Sequence, residues 1–263
     1  MKHAIPVLAA LMLAMPAAAA DLTDVDEIVG RANLAAYYAG DDGRSEARMT
    51  IEDSQGRKQL RQFTILRKDE SDGGDQSFMV FFSRPSDVRG TVFLVHKHVD
   101  TDDDRWLYLP GLDLVKRISA GDKRTSFVGS HFFYEDVSGR NPSLDEHRLA
   151  ETTGEYYVLE STPKDASLVE FASYRTWIDK ANFMPMKIEY ADGSGRVYRR
   201  VESLEVETIE GHPTTTRSRV TDVDGGGSTT MEFRFIEYDV GLPPDIFSER
   251  YMRTPPVDWL KRD

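Results

Sequence analysis

Apolar and polar residues alternate along most of the chain after residue 45, and this period of two is typical of β-strands that bury one face. In residues 45–52, for example, Ala47, Met49 and Ile51 alternate with charged or polar neighbours. Similar patterns predict strands at residues 58–68, 76–83, 89–98, 104–109, 113–118, 155–161, 168–178, 184–190, 197–209, 214–222 and 229–238. Such a series of consecutive strands favours a large antiparallel sheet with one buried and one solvated face.

Residues 22–39 follow a helical pattern instead. Apolar residues recur at the spacing of one helix face, at Val25, Ile28, Val29, Ala32, Ala35 and Ala36. Thr23 is the predicted N-cap, because acidic residues that favour the helix dipole follow it directly. The glycines and aspartates of residues 40–43 end the helix. Its single apolar face implies that the helix lies on the sheet.

Residues 120–147 interrupt the series of strands and form a long connection. Phe127, Phe132, Phe133 and Tyr134 lie close to Gly129 within it. Long connections of this kind are usually functional or covering elements. We expect this one to close the sheet on one side as a lid that is hinged at the glycine, with a short helical turn near its end.

Together these patterns predict one helix, about eleven to thirteen strands and a covering connection. A sheet of that many strands curls strongly, and a helix across its mouth completes a half-barrel. We therefore predict a mainly β fold with few helices: a single large antiparallel sheet curled into an incomplete β-barrel, with the N-terminal helix and the mid-chain loop covering its concave apolar face. The sequence has no Pro-, Gly- or Ser-rich linker, so residues 21–263 are predicted to form one domain.

Residues 1–20 are predicted to be a secretory signal peptide that is removed by cleavage after Ala20. Lys2 and His3 form a short polar start, an apolar run follows, and small residues precede the cleavage position. No later segment approaches about 18 consecutive apolar residues. The sequence contains no cysteine, which excludes disulfides and a lipid anchor on a cysteine. The expected location is the periplasm of a Gram-negative bacterium.

Acidic residues outnumber basic ones, 45 to 33, and the formal net charge is −12. A chain with this charge is repelled by nucleic acids and by anionic lipid surfaces. Binding that needs a basic face is therefore not expected, and we interpret the charge as a source of solubility.

Candidate catalytic groups are sparse. Ser130 and His131 lack the second glycine of a nucleophile elbow, and neighbouring side chains on an extended chain point apart. His96 and His98 would face the same side of a strand, as a metal pair requires, with a third ligand from His131, His212 or the acidic run at residues 100–104. Two histidines alone do not define a metal site, so we interpret them as polar residues at the solvent end of a strand. No catalysis, metal or cofactor is expected.

Aromatic residues are numerous along the predicted strands. They can be interpreted as ordinary core residues. One helix and one loop, however, can hardly cover the concave face of so many strands, and we expect the uncovered space to form a cavity for an apolar ligand. The residues expected to line it are Phe63, Phe78, Phe82, Phe93, Trp106, Phe127, Phe132 and Phe133.

Four stretches carry a family resemblance: RGTVFL at residues 89–94, WLYLP at 106–110, SFVGSHFFYEDV at 126–137 and FSERYM at 247–252. They resemble the outer-membrane lipoprotein-sorting family, whose LolA/LolB-like members are often encoded beside RND- or MMPL-type exporters. The resemblance implies an eleven-stranded incomplete β-barrel whose helices close a hydrophobic cavity for acyl chains. It also implies a cavity-lining arginine that holds the lid closed. The candidates for that arginine are Arg44, Arg48, Arg61 and Arg84.

Two functional hypotheses follow. The first is a periplasmic carrier that binds acyl chains or another apolar molecule, from a lipoprotein or a lipid, and transfers it between membranes or to and from an exporter without chemistry. The alternative is a periplasmic adaptor or regulatory subunit of an RND-type exporter that binds no cargo. The expected partners are lipid or lipoprotein acyl chains and an inner-membrane RND- or MMPL-type transporter. The expected state is a monomer.

Overall fold

The structure of the protein, a computed structural model, describes residues 20–261. The predicted signal peptide therefore lies outside the described residues, except for Ala20. The helices of the described residues are Val25–Tyr37 (α1), Tyr134–Ser138 (α2), Glu249–Arg253 (α3) and Val257–Leu260 (α4). None of these helices is long and apolar enough to cross a membrane.

Thirteen strands of the described chain form one antiparallel sheet. They are β1 (Asp42–Glu52), β2 (Lys58–Asp69), β3 (Gln76–Arg84), β4 (Val92–Lys97), β5 (Asp104–Leu109), β6 (Leu114–Ile118), β7 (Asp145–Thr152), β8 (Tyr156–Pro163), β9 (Ser173–Asp179), β10 (Pro185–Ala191), β11 (Val197–Ile209), β12 (His212–Asp222) and β13 (Ser228–Tyr238). The sheet is not closed into a barrel, and the predicted fold class is confirmed. The strands number two more than the resemblance implied.

The pairing of β1 with β13 joins two meanders into one sheet. The strand order is β6-β5-β4-β3-β2-β1-β13-β12-β11-β10-β9-β8-β7. We call β1 to β6 the first arm and β7 to β13 the second arm. In the central pairing Met49 lies opposite Met231, and Ala47 lies opposite Phe233. The two edges of the sheet are consequently β6 and β7, which flank the mid-chain connection.

A solid apolar core fills the concave face of the first arm. Phe127 of the mid-chain connection is only 1% exposed. Its ring centre lies 6.5, 5.6 and 5.4 Å from those of Phe63, Phe82 and Phe93 on three neighbouring strands. Tyr134 of α2 packs against the same cluster, 5.5 Å from Phe127. The connection, which we predicted to be a lid, is therefore part of the packed core of this arm.

The convex face of the first arm is also buried. Leu66 and Met79 point to this face and pack against Ile246 and Phe247 of the C-terminal segment, residues 240–260. The expectation of one solvated face is therefore wrong for the first arm. The sequence FMVFF within β3 is apolar on both faces, which is typical of a strand that is covered on two sides.

Helix α1 lies across the concave face of the second arm. Ile28 and Ala32 on its inner side are buried against Tyr157 and Leu159 of β8 and Ile178 of β9. The apolar stripe that predicted the helix therefore faces the sheet. The second half of the stripe consists of alanines, Ala32, Ala35 and Ala36, so the helix covers this arm without filling it.

The N-cap of α1 is Asp24, and the prediction of Thr23 is wrong. The carboxylate of Asp24 accepts hydrogen bonds from the backbone N–H groups of Asp26 and Glu27. At this position a carboxylate satisfies two unpaired donors and also interacts favourably with the helix dipole.

Strand β7 has no counterpart among the predicted strands, and the short helical turn expected near it is a single 3-10 turn at Pro142–Leu144. The sequence of β7, DEHRLAET, lacks an apolar alternation, and of its residues Asp145 alone is buried. The strand lies at an edge of the sheet, where charged side chains protect the unpaired backbone against association with other strands. Alternation could not predict β7, because an exposed edge strand has no apolar face.

Arg67 on β2 fixes the C-terminal end of α1. Its guanidinium donates hydrogen bonds to the carbonyl groups of Tyr37, Ala39 and Gly40. It also pairs with Asp69 at 2.9 Å. Arg67 thus satisfies carbonyls that a helix end leaves without intrahelical partners.

The four arginines considered from the resemblance do not make these bonds. Arg48 and Arg84 are exposed, and Arg44 and Arg61 pair with carboxylates elsewhere. Arg67 reaches the helix because it lies on the concave face of β2, the same face as Phe63 and Ile65.

Replacing Arg67 with methionine should lower the free energy of unfolding by about 3–5 kcal/mol, because the buried Asp69 carboxylate is left unpaired. Urea unfolding measures this loss, and hydrogen exchange of the α1 amides should become faster. Arg57→Met, which removes an exposed ion pair with Asp53, is the control and should change little. Equal effects of the two substitutions would contradict the role given to Arg67.

Burial raises the pKa of Asp69 from 3.8 to about 6, although Arg67 and Gln76 act in the opposite direction. Between pH 3.8 and about 6, Asp69 is protonated in the folded protein but ionised in the unfolded chain. The associated stability is complete below pH 3.8 and is lost as the pH rises through about 6. The free energy of unfolding of the wild type relative to Asp69→Asn should therefore fall across this window. A difference independent of pH would refute the assignment.

Phe127→Ala should lower the free energy of unfolding by about 3–5 kcal/mol, as expected for a fully buried phenylalanine. Leu112→Ala is the control, since Leu112 is 72% exposed and should contribute within about 0.5 kcal/mol. Both values come from urea unfolding curves. A loss below about 1 kcal/mol for Phe127→Ala would mean that the connection detaches readily from the core.

Candidate functional site

A cavity of about 430 Å³ lies between α1 and the concave face of the second arm. Its volume falls within the range of about 300–1,000 Å³ that is typical of small-molecule sites. The apolar part of its wall consists of Val29, Ala32, Ala35, Ala36, Ile65, Phe78, Phe132, Val137, Leu159, Ile178, Met184, Ile188, Val201, Phe233 and Ile236.

The cavity exists because apolar side chains on β10, β11 and β13 are incompletely covered by the described chain. Ile188, Val201 and Phe233 line the cavity and remain partly exposed. Helix α1 faces them with Ala32 and Ala36, whose methyl groups are too short to fill the space between helix and sheet. The result is an aliphatic wall with room in front of it.

One end of the cavity is polar. Arg140 of the mid-chain connection forms a bidentate pair with Asp145, with both N–O distances 2.8 Å, and donates a third hydrogen bond to Glu135 at 3.2 Å. Tyr174 on β9 donates to Asp145 at 2.7 Å. Hydrogen bonds between ionised groups are stronger than neutral ones, so this network holds the connection firmly against the second arm.

Arg124 completes the network behind the polar end. It forms a bidentate pair with Glu170, with both N–O distances 2.7 Å, and donates to Glu135 at 2.7 Å. Burial raises the pKa of Glu135, but the Arg124 and Arg140 guanidiniums outweigh this effect and hold the pKa below its usual range. Glu135 therefore remains ionised between two arginines.

Two aromatic rings contact a pair of arginines at this end. The Arg199 guanidinium lies 4.3 Å from the ring centre of Phe133 and 5.3 Å from that of Tyr190. The Arg124 guanidinium lies 5.1 and 4.9 Å from the same two rings. Arg199 also donates to Asp136 at 2.5 Å. The rings stabilise the buried cations by cation–π contacts.

The structure places Phe78 and Phe132, two of the eight residues expected to line the cavity, on its wall. Phe78 lies on β3 and Phe132 on the mid-chain connection, and both also contact the core of the first arm. They separate the hollow of the second arm from the solid core of the first.

The other six residues lie elsewhere. They are Phe63, Phe82, Phe93 and Phe127 in the solid core, Trp106 on the convex face and Phe133 against the arginines. The physical reason is that the aromatic residues of the first arm pack against the aromatic residues of the connection. The cavity lies in the other arm, whose concave face is largely aliphatic.

Ser130 and His131 bond to different partners. Ser130 Oγ accepts a hydrogen bond from the Phe132 N–H at 3.1 Å. His131 Nδ1 lies 2.8 Å from the Thr229 hydroxyl on β13. Both residues thus fix the path of the connection over the sheet.

His96 and His98 also have separate partners. His96 Nδ1 lies 2.9 Å from Ser77 Oγ, and His98 Nδ1 lies 2.7 Å from the Asp75 carboxylate. Burial lowers the pKa of His96, whereas the hydrogen bond to Asp75 raises the pKa of His98. Within residues 20–261 no group of three or more His, Cys, Asp or Glu residues is arranged to hold a metal ion.

Sequence reasoning missed the aliphatic wall at Ile188, Val201 and Ile236. A signal for it exists in α1, whose inner stripe contains alanines where a closely packed helix would carry larger residues. The polar end was missed as well. No spacing rule connects Tyr174 with Asp145, because sheet pairing brings them together.

Three solved structures resemble the chain over most of its length. A DUF1329 family protein from Desulfovibrio piger ATCC 29098 is 29% identical over 86% of this chain and 96% of its own, with a TM-score of 0.78. A putative outer membrane lipoprotein-sorting protein domain from Vibrio parahaemolyticus is 26% identical over 87% and 98%, with a TM-score of 0.79. A LolA superfamily protein from Nitrosomonas europaea, 22% identical over 88% and 100%, shares the fold with a TM-score of 0.68.

These neighbours agree with the resemblance to the lipoprotein-sorting family. No curated protein matches the chain. A model of a DUF1329-like family, described as "Uncharacterized protein", matches residues 74–254. The match includes most strands of both arms, the mid-chain connection and the polar end of the cavity. Because it extends over more than half of the sequence, the chain belongs to this DUF1329-like family.

Proposed function

We propose that the protein is a periplasmic carrier that holds an acyl chain or another apolar molecule in the cavity and transfers it without chemistry. The observation that carries this proposal is the partly exposed aliphatic wall of the second arm, which faces the alanines of α1 across an open volume. A ligand in this space gains about 0.8 kcal/mol for each CH₂ group that it removes from water.

In this proposal α1 opens the cavity. Polar contacts hold the helix near both ends: the Leu22 N–H donates to the Tyr157 hydroxyl at 3.0 Å, and Arg67 binds the last carbonyls. Between these two ends, the large side chain of α1 that is fully buried is Ile28. An element with few buried apolar contacts opens at a lower free energy than a core strand.

The Vibrio neighbour, described as a lipoprotein-sorting protein domain, supports this cargo class and location. We propose that residues 1–20 direct export and that residues 21–263 form the mature carrier. Lipoprotein acyl chains and free lipids are the candidate cargoes. An inner-membrane RND- or MMPL-type exporter stays a predicted partner.

The alternative is an adaptor that docks on an exporter and binds no cargo. The turn between β5 and β6 favours it, because Leu112 is 72% exposed and Leu114 is 45% exposed. Neighbouring exposed apolar residues of this kind can mark a protein interface. The two functions differ in their needs, since a carrier requires the cavity and an adaptor requires the surface.

Delipidated protein should bind the uncharged apolar dye N-phenyl-1-naphthylamine saturably, measured as a rise in fluorescence. Ala36→Trp fills part of the cavity and should weaken dye binding by about tenfold or more, a change of about 1.4 kcal/mol. Leu34→Trp is the control on the same helix, because Leu34 is 39% exposed and does not line the cavity. It should bind the dye like the wild type.

Ala36→Trp and a surface variant, Leu112→Asp, separate the carrier from the adaptor. A carrier loses transport with Ala36→Trp and tolerates Leu112→Asp. An adaptor shows the opposite pattern in capture of the exporter. Absence of saturable dye binding by the wild type would overturn the carrier proposal.

A further inference from the structure

The polar end of the cavity contains two phenol hydroxyls that have no protein partner. Tyr37, at the end of α1, and Tyr190, on β10, both line the cavity. Within the described residues neither side-chain hydroxyl makes a hydrogen bond, and neither is among the fully sealed atoms that lack a partner, so both keep accessible surface. Tyr190 as a residue is only 5% exposed. A hydroxyl that is withdrawn from bulk water and left without a partner is costly unless a ligand or water completes it.

Close packing fixes the position of the Tyr37 hydroxyl. The ring of Tyr37 lies so close to Gly139 that a Cβ at this glycine would be 2.3 Å from Tyr37 Cζ. Lys97 Nζ lies 5.0 Å from the ring centre. Gly139 thus provides the space in which the hydroxyl-bearing edge of Tyr37 sits.

Tyr190 is fixed in a different way. Its ring contacts the guanidiniums of Arg124 and Arg199, at 4.9 and 5.3 Å. Tyr37 and Tyr190 line the same cavity. Burial is the main cause that raises the pKa of both phenols. Both therefore remain protonated and act as hydrogen-bond donors.

An acceptor lies beside these two donors. Asp136 lines the cavity and binds Arg199, whose guanidinium contacts the Tyr190 ring. It lies on α2, whose C-cap is Gly139, the residue against which the Tyr37 ring packs. Its Oδ2 accepts hydrogen bonds from Arg199 and from the Phe133 N–H. Its Oδ1 makes no hydrogen bond within the described residues. The end of the cavity thus offers donors and an acceptor together.

Charged head groups fit this end poorly. Every guanidinium nitrogen of Arg124 and Arg140 is bonded to a carboxylate. The two nitrogens of Arg199 that lack hydrogen bonds are sealed and do not lie on the cavity wall. A carboxylate or phosphate at this end would therefore meet Glu135 and Asp136, while the arginines beside it are already paired. The nearby Lys97 donates its Nζ to the Ser138 carbonyl and does not line the cavity. A ligand cation would find the Phe133 and Tyr190 rings already in contact with arginines.

We propose that the cavity selects an apolar molecule that ends in a neutral hydroxyl group. The ligand oxygen accepts hydrogen bonds from Tyr37 and Tyr190, and the ligand O–H donates to Asp136. The apolar body lies along the aliphatic wall of the second arm. This inference rests on the proposed carrier function and narrows its cargo to a lipid alcohol.

Displacement of N-phenyl-1-naphthylamine by a matched set of ligands tests the inference. The set is 1-dodecanol, dodecanoate and dodecyl methyl ether, which share an alkyl chain and differ in charge and in donor capacity. Dodecanol should displace the dye at about tenfold lower concentration than the other two, since one or two hydrogen bonds distinguish them. Equal or tighter binding of dodecanoate would overturn the inference.

The double variant Tyr37→Phe, Tyr190→Phe should lose most of the preference for dodecanol, with each displacement referred to the variant's own affinity for the dye. Tyr251→Phe, which removes a hydroxyl from a residue in the cluster on the convex face, should keep the preference. An unchanged preference in the double variant would overturn the assigned role of the two phenols. If the wild type binds the dye but the three ligands displace it equally well, the inference of a hydroxyl-selective site fails and the carrier proposal stands. If the wild type does not bind the dye, both fail.

Discussion

The concave face of a strongly curled sheet must be covered, and the rest of the described structure depends on how the chain does this. Because β1 pairs with β13, the two edge strands β6 and β7 are consecutive along the sequence. The segment between them, residues 119–144, therefore has to cross the open side of the half-barrel. It fills the first arm with Phe127 and Tyr134 and leaves the second arm to α1.

The two covering elements have different chemistry, and this makes one arm solid and the other hollow. The connection supplies large aromatic residues, whereas α1 supplies the alanines Ala32, Ala35 and Ala36 to the space above β10 to β13. The connection also carries ions into the interior, where Glu135 and Asp145 are each 3% exposed. Buried charges are tolerated only when they are fully paired, and the bidentate bonds of Arg124 and Arg140 meet this condition. The same network fixes the polar end relative to the aliphatic wall.

Local patterns predicted the half-barrel, its covering helix and its covering connection, because alternation and helical spacing record which faces are buried. They could not predict β7, whose charged residues have no buried face. They also could not show that Phe78 of the first-arm core reaches the cavity wall while Phe63 does not, since both are apolar residues on the concave face. That difference arises from the pairing of distant strands, as between Met49 and Met231. Long-range pairing decides which arm the connection fills, and no local pattern contains it.

Tyr37 connects the covering helix with the polar end of the cavity. Its carbonyl accepts hydrogen bonds from Arg67 and from Gln76, the latter at 2.8 Å, while its ring lines the cavity. In the proposed carrier, a ligand bonded to the Tyr37 hydroxyl thus contacts the residue that fixes the helix end. Moving α1 away removes that contact, and by linkage a bound ligand stabilises the closed helix. Opening of the helix and release of the ligand are then a single event.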